Sequence, residues 1–252
     1  MSYQIETHPR PRHPANPHYA ARKDRNRKLH HPPAVRKVQI GTATLYNADC
    51  FEVLPQLSSI GAVITDPPYC IGYHYRSYDD APWKYHDLMT RLIPELIRVT
   101  DDGPCFVWQS QLKANRWHQY FPDDYKIIAA CKIFRTGENK RFSWDPVLYW
   151  NGRSKRLHDL PRDWHVVDLR PWDGYRGDNP VPCPRPLEQV AWICQSLAAE
   201  TILDPFMGSG TTGVAAIQAG KRFVGIESDP IYFDYACQRI KQAWADSCKD
   251  RS

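Results

Sequence analysis

A chain of 252 residues, 42% hydrophobic and 24% charged, can bury one substantial core, so a single domain with elaborations is expected. No apolar run approaches the roughly 18 residues of a membrane span, and no apolar signal segment opens the chain, which points to the cytoplasm. The formal charge of +5 is uneven: residues 1–37 hold nine Lys/Arg against two Asp/Glu, and the remainder holds 24 against 26.

The basic charge therefore lives in residues 1–36, rich in Pro, His, Arg and Asn and poor in aliphatics. Such a segment buries too little apolar surface to offset its ordering entropy and is expected to be largely disordered. Within it, "AARKDRNRKLHH" (residues 20–31) suits contact with phosphates, the alternative being a solubilising extension. The eight cysteines have no CxxC pair and no Cys/His ligand spacing, which argues against a metal site and for reduced thiols.

Residues 37–40 and 43–46 read as two strands around Gly41-Thr42. Asp49 can cap a helix over 50–57, and 62–65 is a short β-branched strand. An aromatic loop (70–83) leads to a helix over 85–99, whose Leu88, Leu92, Leu96 and Val99 share one face. Strands are expected at 104–108, 126–134 and 146–150, with a helix at 111–120. From 152 to 182 the pattern dissolves into Trp, Arg, Asp and Pro. A helix returns at 187–197, then strands at 201–203 and 222–226 flank a helix carrying Val214, Ala215 and Ile217. Alternating strands and helices indicate an α/β, doubly wound sheet.

Two segments carry the chemistry. In "ITDPPYCIG" (residues 64–72) a strand ends in an acid and two prolines, which cannot donate to a ladder. Asp66 and Tyr69 then sit at the carboxyl edge of the sheet, where ligands bind, or Asp66 merely caps the next helix. In "DPFMGSGTTGVAAIQAG" (residues 204–220) a strand runs into a glycine turn and a helix. Gly208 and Gly210 let backbone approach a ligand closely. Glu227, about 20 residues on at the end of the next strand, is placed for both hydroxyls of a ribose. A phosphate-binding P-loop would need a lysine in this segment, and none is there. A ribose acid without a phosphate grip suggests S-adenosylmethionine. Asp66 can then accept one N–H of an exocyclic amino group and a carbonyl of the 66–68 turn the other, drawing the nitrogen lone pair out of the ring. Tyr69 offers a stacking face. No covalent nucleophile is needed, which leaves Cys70 without a task.

These segments resemble an amino-group (N6-adenine/N4-cytosine) DNA methyltransferase of the permuted β-class, in which the catalytic motif precedes the cofactor motif. "TDPPY" is similar to the catalytic motif (Asp66, Pro67, Pro68, Tyr69). "LDPFMGSGTTGVAA" resembles the cofactor loop, here Asp204, Pro205, Phe206, Gly208, Ser209, Gly210, Thr211 and Thr212. "GIESDP" supplies the ribose acid Glu227 beside Ser228. "LYNADCFEVLPQL" resembles the segment that contacts the adenine of the cofactor, through Asp49 and Cys50. "PCPRPLEQVAWICQSL" resembles the segment before the cofactor loop, with Arg185 in place of the usual lysine; arginine keeps the charge for the methionine carboxylate but not the geometry.

The resemblance implies a Rossmann-like, mostly parallel seven-stranded sheet over residues 37–250, with a small target-recognition insertion at about 141–182. It further implies double-stranded DNA as partner, base flipping, a restriction-modification setting and no metal, and it admits a homodimer. A motif starting with Asp leans to adenine N6, one starting with Ser to cytosine N4. A non-catalytic DNA-binding subunit is the remaining alternative, though such subunits lose the acid, the aromatic or the glycines that this chain keeps.

Overall fold

The computed structural model describes residues 35–134, 144–152, 162–169 and 180–249. Residues 1–34 of the basic tail therefore lie outside the described residues, as do 141–143, 153–161 and 170–179 of the expected recognition insertion, while Arg36 at the end of the expected tail opens a strand. Nine strands are found among the described residues: β1 (Arg36–Ile40), β2 (Ala43–Asn47), β3 (Ala62–Thr65), β4 (Cys105–Trp108), β5 (Lys126–Phe134), β6 (Trp144–Trp150), β7 (Trp164–Leu169), β8 (Thr201–Asp204) and β9 (Arg222–Glu227). They form one sheet in the order β1-β2-β9-β8-β3-β4-β6-β5-β7. The sheet has nine strands where seven were implied: an inner run of seven from β2 to β5, flanked by β1, expected as half of a hairpin, and by β7, which was not expected. Strand β1 pairs antiparallel with β2 through the Gly41-Thr42 hairpin, and β7 pairs parallel with β5. From β2 to β4 every pairing is parallel, and β6 runs antiparallel to both β4 and β5.

Helices cover both faces, which is why β3 and β4 are buried at every position and apolar apart from Thr65. On one face α3 (Leu187–Gln195), α4 (Thr211–Gln218) and α5 (Pro230–Lys249) bury Val190, Ile217, Phe233 and Ile240 in one cluster with Ala62 and Ile64 of β3. On the other, α1 (Cys50–Val53) and α2 (Tyr85–Thr100) pack Val53, Met89 and Leu92 against Val63. The alternation of Ala62, Val63 and Ile64 between two cores is the period-2 rule of a strand buried on both sides.

Several expectations shift. The helix after Asp49 ends at Val53 and continues as a 3₁₀ turn over Leu54–Gln56, because Pro55 has no N–H for the next α-helical bond. Residues Gln111–Gln119 are 3₁₀-helical rather than α-helical, burying only Lys113 and Trp117. Strand β7 lies within residues 152–182, where no regular element was expected.

Chain order reverses direction at the middle of the sheet. From β8 the chain passes through α4 to β9 on one side; from β3 it passes through α2 to β4 on the other. The carboxyl ends of β3 and β8 thus flank the topological switch point, where open α/β sheets form their ligand crevice. The turn after β8 depends on Gly210, whose φ of +76° sits at the start of α4. A Cβ there would stand 3.0 Å from the Ala236 Cβ and 3.2 Å from its Cα on α5. Gly210→Ala is therefore expected to cost about 1–3 kcal/mol, read as a lower thermal midpoint in a calorimetric scan.

Candidate active site

One cavity of about 390 Å³ opens at the switch point and is lined from both β3 and β8. Its floor is a hydrogen-bonded knot. Asp204, the last residue of β8, accepts from the Thr65 hydroxyl (2.8 Å), the Thr212 hydroxyl (2.7 Å) and the Phe206 N–H (3.1 Å). Burial raises its pKa to about 6, against the pull of these donors. Both carboxylate oxygens thus help hold the glycine turn to β3 and α4. Asp204 touches the cavity, but its visible work is structural.

On one side of the knot lie the residues expected to bind a nucleoside. Glu227 closes β9; its Oε2 accepts the Gly208 N–H (2.9 Å) and its Oε1 the Asp229 N–H (2.8 Å). Burial pushes its pKa up to about 7, more than the two amides lower it. Each carboxylate oxygen still keeps a lone pair for a hydroxyl. Gly208 has φ +48°, and a Cβ there would stand 3.4 Å from Val181 and 4.0 Å from the Phe206 carbonyl oxygen, in ordinary contact. Phe206, Ser209, Thr211, Thr212 and Ser228 also line the cavity. Pro205 and Gly210 shape the turn from behind. Asp49 caps α1 by accepting the Phe51 N–H (2.9 Å), and neither it nor the buried Cys50 reaches the cavity wall.

On the other side stands the "DPPY" turn. The Tyr69 hydroxyl donates to Asp66 Oδ1 at 2.5 Å, and burial drives that hydroxyl's pKa well above its usual range. Pro68 lines the cavity, while Pro67 is buried beneath it. Arg185 grips Asp66 with two nitrogens, Nε to Oδ2 at 2.6 Å and Nη2 to Oδ1 at 3.1 Å, and Nη2 also reaches the Tyr69 hydroxyl. The guanidinium, expected to meet a cofactor carboxylate, is here bonded to the aspartate. Two unforeseen residues complete the wall, Asp145 of β6 and Lys132 of β5, which bond to each other while Asp145 also accepts from Arg185 Nη1. Asp145 falls just before the strand expected at 146–150, so only Lys132, a charge within the apolar run 127–134, carried a sign of a partner in the sequence.

The segment after Tyr69 is organised by Asp80, also unforeseen. Buried, it accepts the N–H groups of Cys70 (2.6 Å), Ile71 (2.9 Å) and Tyr73 (2.9 Å). The loop crosses the cavity mouth, where Tyr73 and Tyr75 lie in ring contact, and Arg76 reaches Asp229 at 3.5 Å. Cys70 is buried, and burial raises its thiol pKa, in keeping with a bystander. Among the described residues no group of three or more His, Cys, Asp or Glu is placed to hold a metal ion.

Residues 133–238 match the DNA methylase family. The type II methyltransferase M2.LlaDCHI of Lactococcus lactis subsp. cremoris is 35% identical over 245 residues, spanning 79% of this chain and 90% of that protein. The chain belongs to the N6/N4 DNA methylase family. The DNA adenine methyltransferase YhdJ of Escherichia coli (strain K12) is 24% identical, over 79% of this methylase and 83% of its own length. Solved structures share the Rossmann-like methyltransferase fold. The M1.HpyAVI-SAM complex superposes with a TM-score of 0.61 at 23% identity, covering 79% of this chain and 98% of that one. The PvuII DNA methyltransferase, described as cytosine-N4-specific, gives 0.63 at 15% identity, covering 84% and 93%. Among the described residues of this methylase no helix is long and apolar enough to cross a membrane.

Proposed function

We propose that this methylase transfers a methyl group from S-adenosylmethionine to the exocyclic amino nitrogen of a flipped DNA base, adenine N6, and that it belongs to the permuted β-class. The observation that carries the reading is one cavity bounded by Asp66, just after β3, by the Gly208 turn after β8 and by Glu227 at the end of β9. The Thr65–Asp204 bond ties the two halves together. Glu227 and the Gly208 turn hold the nucleoside part of the cofactor; when bound, the cofactor supplies an electrophilic methyl on a sulfonium. The protein's own residues prepare the nitrogen. Asp66 has about four acceptor positions, of which Tyr69 takes one and Arg185 two. The fourth, on Oδ2, is left to accept an amino N–H and then to receive the proton that the nitrogen sheds.

Flipping the base costs a few kcal/mol, and stacking on the Tyr69 ring returns roughly 1–3 kcal/mol. Phosphate contacts must therefore supply net affinity, and with it a strong dependence on salt. Adenine is favoured because the catalytic motif starts with Asp66. Proteins described with either specificity resemble this chain, the adenine methyltransferase YhdJ in sequence and the cytosine-N4-specific PvuII enzyme in fold, so cytosine N4 is the second reading.

The deciding experiment expresses the full chain in cells lacking other methylases and digests their DNA to nucleosides for mass spectrometry. N6-methyladenine in one sequence context is the expected product. N4-methylcytosine would select the second reading. Neither product, together with no calorimetric binding of S-adenosylmethionine, would leave only a DNA-binding role.

A further inference from the structure

The charged network at Asp66 extends beyond what a methyl-transfer site requires. It alternates in sign across four segments: Asp66 after β3, Arg185 ahead of α3, Asp145 on β6 and Lys132 on β5. The side chains of Arg185, Asp145 and Lys132 are only 14%, 23% and 12% exposed. Asp145 Oδ2 receives both Arg185 Nη1 and Lys132 Nζ.

We infer that Asp145 and Lys132 are positioning residues for Asp66, acting through Arg185, and that Arg185 serves the aspartate rather than the methionine carboxylate. The inference rests on the amino-methyltransferase reading above. A guanidinium is a rigid planar fork. With Nε and Nη2 on Asp66 and Nη1 on Asp145, its plane is set from both ends, and the carboxylate of Asp66 must lie nearly in that plane. Four of its five N–H donors are engaged, so the guanidinium cannot present a two-pronged edge to another anion without abandoning Asp66. Burial works against the charge on Arg185, yet Asp66, Tyr69 and Asp145 outweigh it and hold the group protonated. Burial also opposes the charge on Asp145, but Arg185 and Lys132 keep its carboxyl below the usual range. Lys132 completes the balance, two acids against two bases, so the wall beside the base carries no uncompensated charge; an unpaired buried charge there would be costly.

The test uses the purified full chain. Wild-type transfer of labelled methyl to DNA comes first; its absence would defeat the functional reading and not the relay. With that activity in hand, kcat at saturating DNA and the calorimetric cofactor Kd are compared for variants whose thermal midpoints match the wild type. Asp145→Asn is expected to lower kcat about 10–100-fold, the scale of a misplaced reacting group, with cofactor Kd changed less than about twofold. Asp145→Glu should recover part of the rate, and Lys132→Met, should the Asp145 variants fail to fold, should lower kcat in the same way. In an Arg185→Lys background, Asp145→Asn should add little further loss. Additive losses, an unchanged kcat in Asp145→Asn or Lys132→Met, or a cofactor Kd for Arg185→Lys that rises as far as kcat falls would overturn the inference.

Discussion

Asp66→Ala is expected to cut the rate of methyl transfer by about 10³-fold or more while the affinity for S-adenosylmethionine stays within about twofold. The carboxylate keeps an acceptor position on Oδ2, and a positioned acid or base contributes about 10²–10⁴-fold. Losing the orientation of the amino nitrogen adds to that. Cofactor binding should survive because Asp66 makes no bond to Glu227 or to the Gly208 turn; its partners are Tyr69 and Arg185. Arg185 keeps Asp145 in the variant, so the guanidinium is not left alone in a buried site. Single-turnover transfer and calorimetry on the same preparation check this. If both constants deteriorate together, Asp66 is part of the cofactor pocket and the division of labour is wrong.

The second large effect belongs to Glu227. Glu227→Gln is expected to raise the cofactor Kd roughly 10–100-fold, the scale of a charge-assisted hydrogen bond of about 1.5–3 kcal/mol. Glutamine is the better probe than alanine because it leaves an oxygen for the Gly208 or Asp229 N–H. The effect should depend on pH. Burial lifts this carboxyl from 4.5 to about 7, so it is largely protonated near pH 6 and charged near pH 8. Cofactor affinity should therefore strengthen across that interval in the wild type more than in Glu227→Gln. Stability runs the other way. A raised folded pKa makes this group's contribution complete below about 4.5, and that contribution fades as pH rises through about 7. A wild-type Kd that parallels the variant from pH 6 to 8 would remove Glu227 from the ribose site.

What was legible in the sequence was local. The "TDPPY" and "DPFMGSG" segments carry strand, turn and acid within a few residues, and their meeting follows from the rule that ligands bind where a parallel sheet changes winding direction. What was not legible depended on partners far along the chain. Arg185 could be read as a charge near the cofactor, but Asp66 lies 119 residues before it and Asp145 40 residues before it. No local pattern declares that junction. Strand β7 escaped notice because it is an edge strand whose Trp164 and Val166 remain exposed, which removes the buried alternation that marks a strand. Helix α5 was missed although Phe233, Ala236 and Ile240 form a buried stripe at helical spacing. The stripe is narrow and sits among charged residues.

The bond between Thr65 and Asp204 ties the ends of two neighbouring strands and nothing more distant. The gap that the migrating carbon must cross is consequently a property of the scaffold's midline, indifferent to the length of any outlying excursion. Segments that meet the duplex can then be lengthened, trimmed or exchanged in evolution without retuning the reaction. New sequence preferences become accessible to such an enzyme while its chemistry stays the same.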